Sequence, residues 1–169
     1  MHHMSKTKAI KDRRSIRSYK PDPVSEEIIR DILDCGRLAP TARNVQPWLL
    51  GAVTDADLRG TLADMTEYGK FIAQSPVCFV VFVKGEEKYF MEDGCAATMN
   101  IVQAAAEHGL GTCWVAGHKK PYVEQIRQLL DVPEGYTLIS LIAAGYSDDK
   151  PAPSKKPLEE VAFFDKCGN

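Results

Sequence analysis

Seven consecutive residues, Val77-Cys78-Phe79-Val80-Val81-Phe82-Val83, carry no charged or hydrogen-bonding polar side chain. The run is rich in β-branched and aromatic side chains, which favour an extended, pleated backbone. It is also too short for a buried helix, so it predicts a strand. A strand with no polar side must be covered on both faces. The rest of the chain therefore has to supply partner strands and helices on either side of a sheet.

Those elements are legible along the chain. Residues 5–14 are polar and suit a short helix. Ser25 is a helix cap, with Glu26 and Glu27 in the first turn where negative charge suits the dipole. Ile28, Ile29, Ile32, Leu33 and Leu38 continue that helix at a 3.6-residue period, and Pro40 ends it near Leu38-Ala39. Trp48 to Val53 reads as a strand. Asp55 or Asp57 caps a helix through Met65, and Lys70 to Ala73 form one more turn. Tyr89 to His108 is a long helix with an alanine-rich centre, stopped by Gly109. Gly111 to Val115 is a short strand, Pro121 opens a helix running to Leu130, and Thr137 to Ala144 is a last strand. Residues 148–157 are too polar to pack alone. Leu158 to Phe164 has Val161, Phe163 and Phe164, and needs something to bury against. Helices around about four strands, with no internal repeat, imply one α+β domain over residues 1–169. Residues 1–4 read as a flexible or added start, with Met4 as the alternative first residue.

Composition narrows the function. The net charge of -2 gives no reason to expect nucleic acid or an anionic membrane as partner. No run approaches the ~18 apolar residues of a spanning helix, and the start has no apolar signal region, so the cytoplasm is the expected location. Five cysteines, Cys35, Cys78, Cys95, Cys113 and Cys167, with no C-x-x-C pair, argue against a disulfide framework or zinc site. Cys78 and Cys113 read as small core residues.

Three segments carry candidate chemistry. Arg13, Arg14 and Arg17 surround Ser15, a set that binds phosphate through charge-assisted bonds or simply forms a solvated basic face. Pro40 to Pro47 presents Asn44 and Gln46 between two prolines. Their amides suit a flat heterocycle with alternating donors and acceptors, or an Asx turn. Val115-Ala116-Gly117 is a small-residue segment after a strand, where backbone N–H groups can approach a ligand. Gly109 and Gly111 follow a helix and precede a strand, the reverse of a dinucleotide fingerprint, and read as turn residues. No acid pair, nucleophile triad, Walker loop or metal cluster emerges. His108 and His118 read as structural or exposed. Such a site suggests that a cofactor supplies the chemistry.

Taken together these segments resemble the nitroreductase family of flavoenzymes. The likeness covers nearly the whole chain. It rests on Arg13-Arg14-Ser15-Ile16-Arg17-Ser18-Tyr19, on Ala39-Pro40-Thr41-Ala42-Arg43-Asn44-Val45-Gln46-Pro47-Trp48, on Gly109-Leu110-Gly111-Thr112, and on Lys155-Lys156-Pro157-Leu158-Glu159-Glu160-Val161, in that order and spacing. The resemblance implies a mixed, mainly antiparallel sheet flanked by helices, in an interlocked homodimer with FMN at the interface. It implies that Arg13, Arg14 and Ser15 hold the phosphate and that Arg17 reaches the pyrimidine edge of the ring. Lys155, or Lys156 as the alternative, stands where the family usually has arginine, offering a point charge in place of a fork. Pro40, Thr41, Ala42, Asn44 and Gln46 match the loop that borders the ring. Val115, Ala116 and Gly117 match the segment at N5, and Lys70 loosely matches a lysine near N1 and O2.

The implied activity is hydride transfer from NADH or NADPH through flavin N5 to nitroaromatic, quinone or enone acceptors, in ping-pong order. Arg17 and Lys70 would tune the reduced ring by their charge. The short stretch between Val83 and Tyr89 leaves little room for covering helices, so an open pocket and broad acceptor tolerance are expected. Other readings are a relative with different flavin chemistry such as dehalogenation, a flavin-binding redox sensor without turnover, and a plain α+β domain without flavin. Whether Arg43 gates the pocket or lies in a dimer contact is left open by the sequence.

Overall fold

The apolar run splits its side chains between two separate cores. Val77, Phe79, Val81 and Val83 enter one, and Cys78, Val80 and Phe82 enter the other. This is the period-two geometry of a strand, here realised with every residue from Val77 to Val83 buried. The computed structural model describes residues 7–167, so the start expected at residues 1–4 lies outside them.

The chain runs α1 (Lys8–Asp12), α2 (Glu26–Arg37), β1 (Trp48–Val53), α3 (Ala56–Met65), β2 (Val77–Lys84), α4 (Phe90–Glu107), β3 (Gly111–Ala116), α5 (Val123–Leu129) and β4 (Tyr136–Gly145). Short 3₁₀ turns occupy Ala42–Asn44, Lys70–Gln74 and Leu158–Glu160. The strands form one sheet in the order β1-β2-β4-β3, and all three pairings are antiparallel. Among the described residues the parallel component is a single bridge between Ser15 and Thr112.

Helices α2 and α4 cover one face. Ile29 and Ile32 from α2, with Ala97, Ile101 and Ala105 from α4, pack on Phe79, Val81 and Ile142. The alanine-rich centre of α4 thus lies partly against the sheet. The other face is covered by α3, the turn at Lys70–Gln74 and α5, through Leu62, Ile72 and Ile126. Phe79 and Phe82 are fully buried on opposite faces, and each large apolar side chain contributes on the order of 1.5–3 kcal/mol.

Local signals explain the boundaries. Ser25 Oγ accepts from the Ile28 amide and Asp55 accepts from the Leu58 amide, so Asp55 and not Asp57 caps α3. Helix α5 begins two residues after Pro121. The intervening Tyr122 is buried, and its hydroxyl donates to the Ala116 carbonyl, which fixes a turn before the helix can start. The pairing of β2 with β4 slips between Val81 and Phe82. That bulge lets Leu138 and Leu141 share one core while Ile139 and Ile142 share the other.

Candidate functional site

The arginine segment lies along β3, an outer strand of the sheet. Beyond the Ser15–Thr112 bridge, the Ile16 amide donates to the Thr112 carbonyl at 2.9 Å. The approach is close because residue 111 is glycine. A Cβ there would sit 2.7 Å from Ile16 Cγ1. Gly111 therefore serves packing inside a strand and is not a turn residue, whereas Gly109, with φ +74, is one.

This segment divides two cavities. The first, about 670 Å³, is lined by Arg13 and Arg14 together with Lys8, Thr112 and Lys150. Asp12, Glu107 and Asp149 also line it, and Lys8 pairs with Asp12. Arg14 donates to the carbonyls of Lys11 and Arg13 at 2.7 and 2.8 Å, while the Arg13 guanidinium makes no hydrogen bond among the described residues. Ser15 is exposed at the bridge.

The second cavity, about 710 Å³, brings Arg17 together with Val115 and Ala116. Tyr68, Phe71, Trp114 and Tyr122 give it four aromatic lining residues, and Glu67 and Lys120 add one charge of each sign. The Arg17 guanidinium sits 5.9 Å from the centre of the Phe71 ring, within cation–π range. Cys113 also lines this space. Burial raises its pKa, partly opposed by the charge of Arg17 and a hydrogen bond from Ser15. The thiol is therefore protonated at neutral pH and a poor nucleophile. Sequence reasoning missed the aromatic walls because Tyr68 and Phe71 come from the stretch after α3, whereas Trp114 and Tyr122 lie more than forty positions further on.

The Gly117 backbone is engaged within the chain. Its amide donates to the Ile139 carbonyl at 2.9 Å, and a Cβ would lie 2.6 Å from Leu138 Cγ. The glycine is needed so that the chain can pass over Leu138. The neighbouring His118 stands edge-on to Phe90, with ring centres 5.4 Å apart.

The loop Pro40 to Pro47 lines neither of these two cavities. It enters β1 at the opposite edge of the sheet from β3, and three strand spacings amount to roughly 14 Å. Arg43, Asn44 and Gln46 all take positive φ, at 52, 57 and 52°. A left-handed backbone costs an ordinary residue about 1–2 kcal/mol, so something must hold this shape. Asp93 does so. This carboxylate on α4 is buried, accepting from Thr41 Oγ1 at 2.8 Å and from the Ala42 amide at 3.2 Å. Thr41 Oγ1 in turn accepts from the Gln46 amide at 3.1 Å. Nothing in the sequence distinguished Asp93 from its exposed neighbour Glu92 as acids in a first helical turn.

Lys70 is exposed and turned to Asp64, donating to its carbonyl at 3.1 Å, although its neighbour Phe71 faces the Arg17 cavity. Lys155 and Lys156 are exposed in the tail and line neither cavity. One chain thus gathers Arg13, Arg14, Ser15, Arg17, Val115 and Ala116 around β3. The ring-bordering loop and the tail lysines stand apart.

A sequence model of the nitroreductase family matches residues 10–77 and 63–146. A protein of Methanothermobacter thermautotrophicus, provisionally named NADH dehydrogenase/NAD(P)H nitroreductase, is 33% identical over 153 residues, covering 88% of this chain and 80% of its own. An iodotyrosine deiodinase of Thermotoga neapolitana is 25% identical, covering 89% of this chain and 92% of its own. Among solved structures, an FMN-dependent nitroreductase from Clostridium difficile superposes with TM-score 0.88 at 28% identity, over 94% of this chain and 98% of that one. With the helix-flanked antiparallel sheet and the arginine segment beside β3 in view, these matches establish that the chain belongs to the nitroreductase family.

Proposed function

We propose that the chain is an FMN-dependent NAD(P)H oxidoreductase, acting as a homodimer on nitroaromatic, quinone or enone-like acceptors. The observation that carries this reading is the pairing of Arg13, whose guanidinium makes no hydrogen bond among the described residues, in one cavity with Arg17 in a second cavity rich in aromatic side chains, across one strand edge. A phosphate at Arg13 and a planar ring at Arg17 match those two donor sets. When bound, FMN supplies the hydride-accepting and hydride-donating chemistry at its N5. The chain's own contribution is binding and electrostatics. Arg13, Ser15 and a lysine from 155–156 meet the phosphate, and Arg17 places positive charge at the pyrimidine edge. Val115 and Ala116 offer backbone beside the ring. Lys70 joins them only by leaving Asp64.

The loop at Pro40, Thr41, Ala42, Asn44 and Gln46 reaches a ring at β3 from a second copy of the chain, because within one copy it stands at the other sheet edge. The exposed Leu158, Val161, Phe163 and Phe164 give that second copy an apolar surface to cover. The test is direct. Purified protein is expected to show the visible flavin bands, to bleach with NADH or NADPH, and to recover colour on adding a quinone or nitroaromatic. Colourless protein that ignores added FMN overturns the reading. Bleaching without reoxidation by any acceptor replaces the enzyme with a redox sensor. Halide release from a halogenated phenol, faster than nitro reduction, favours dehalogenation.

A further inference from the structure

The buried carboxylate of Asp93 takes no part in the chemistry above, yet it anchors the loop that holds three of the six non-glycine residues with positive φ among the described residues. We propose that Asp93, acting through Thr41, is a positioning residue that sets the loop bearing Asn44 and Gln46 for the flavin ring. The proposal rests on the flavin reading.

The connectivity is short and complete. Asp93 lies in the first turn of α4, a helix of eighteen residues packed on the sheet, so its backbone is held by the core. Gly94 beside it would place a Cβ 2.6 Å from Ile139, which keeps this turn tight against the bulged strand. One carboxylate oxygen accepts from Thr41 Oγ1 and the other from the Ala42 amide. The Thr41 hydroxyl spends its proton on Asp93 and offers a lone pair to the Gln46 amide. A hydroxyl has one proton and two acceptor sites, so this arrangement satisfies it in one orientation. The hydroxyl therefore carries the position of a buried carboxylate to the residue whose backbone is left-handed at φ 52°. The Gln46 side chain donates from Nε2 to the Asn44 backbone carbonyl at 3.4 Å, so it is tied to the same fastened loop.

The experiment compares the full-length holoprotein with Thr41→Val, Thr41→Ser and Asp93→Ala. Readouts are the FMN dissociation constant, the visible flavin spectrum, the midpoint potential and the Tm of the apoprotein. Thr41→Val removes the hydroxyl while keeping the shape. It is expected to weaken FMN about tenfold, the size of one lost buried hydrogen bond, and to shift the flavin bands. Thr41→Ser is expected to restore both to within about twofold. Combining Thr41→Val with Asp93→Ala should weaken FMN little more than either alone, because both break one chain of bonds. If Asp93→Ala does not fold, the threonine pair still decides. Wild-type affinity, spectrum and potential in Thr41→Val overturn the positioning role, as does a lowered apoprotein Tm with an unchanged flavin spectrum. A wild-type protein that binds no FMN overturns the flavin reading itself, and the positioning role with it.

Discussion

Arg17 is the residue on which the proposed electrostatics turn. Its guanidinium already lies over Phe71 at the cavity wall, so little reorganisation is needed to present charge to a ring. Arg17→Ala is expected to slow flavin reduction by NADH or NADPH about tenfold or more, the scale of one charge-assisted contact. It should also lower the flavin potential while phosphate-dependent binding changes less. Stopped-flow bleaching and a comparison of FMN with riboflavin affinity check this, and equal reduction rates refute it. Gly117→Ala tests packing instead. A methyl 2.6 Å from Leu138 should cost about 1–3 kcal/mol by overpacking, read as a lower Tm. The thiols separate in the same way. Burial pushes the Cys78 thiol up to about 12, so it should resist a thiol-reactive dye at pH 8 until unfolding, while exposed Cys167 reacts at once. At this scale the sequence was read unevenly. The arginines announced themselves by density. Asp93 did not, because its importance lies in burial and in two donors some fifty positions away, which no local pattern encodes. Gly111 looked like a turn glycine because Ile16, the side chain packed over it, cannot be seen from one segment.

Elements were far more legible, since each rests on a signal within a dozen residues. The β-branched run became the most buried strand, and the Ser25 and Asp55 caps opened their helices. Asp55→Ala should cost about 1 kcal/mol through the loss of the bond from the Leu58 amide, and a thermal or urea melt will show it. The departures have tertiary causes. Tyr122 delays α5 past Pro121 by binding Ala116, a partner in another element. The slip opposite Val81 and Phe82 was invisible, because Leu138-Ile139 and Leu141-Ile142 place adjacent apolar residues on either side of Ser140, so both faces look apolar in either register.

For the molecule as a whole, the sheet is complete within one chain and the proposed site is not. The arginine cluster and the strained loop occupy opposite edges, and the tail exposes apolar side chains, Phe164 to 91%. Removing residues 158–169 should leave the sheet folded, with near-native far-UV circular dichroism. It should also convert the proposed dimer to a monomer in sedimentation and weaken FMN retention. An unchanged dimer would place the interface elsewhere. The backbone link between Ser15 and Thr112 has a consequence for how such a protein would fill. Residues 13–17 join the sheet as a fragment of a fifth strand, fastened by little more than one rung. Anything that grips Arg13 and Arg17 at once would clamp that fragment down, and by mass action the clamped form would gain stability with ligand concentration. Amide exchange at Ile16 should then slow on loading far more than exchange at Val80, making this outer rung a built-in gauge of occupancy.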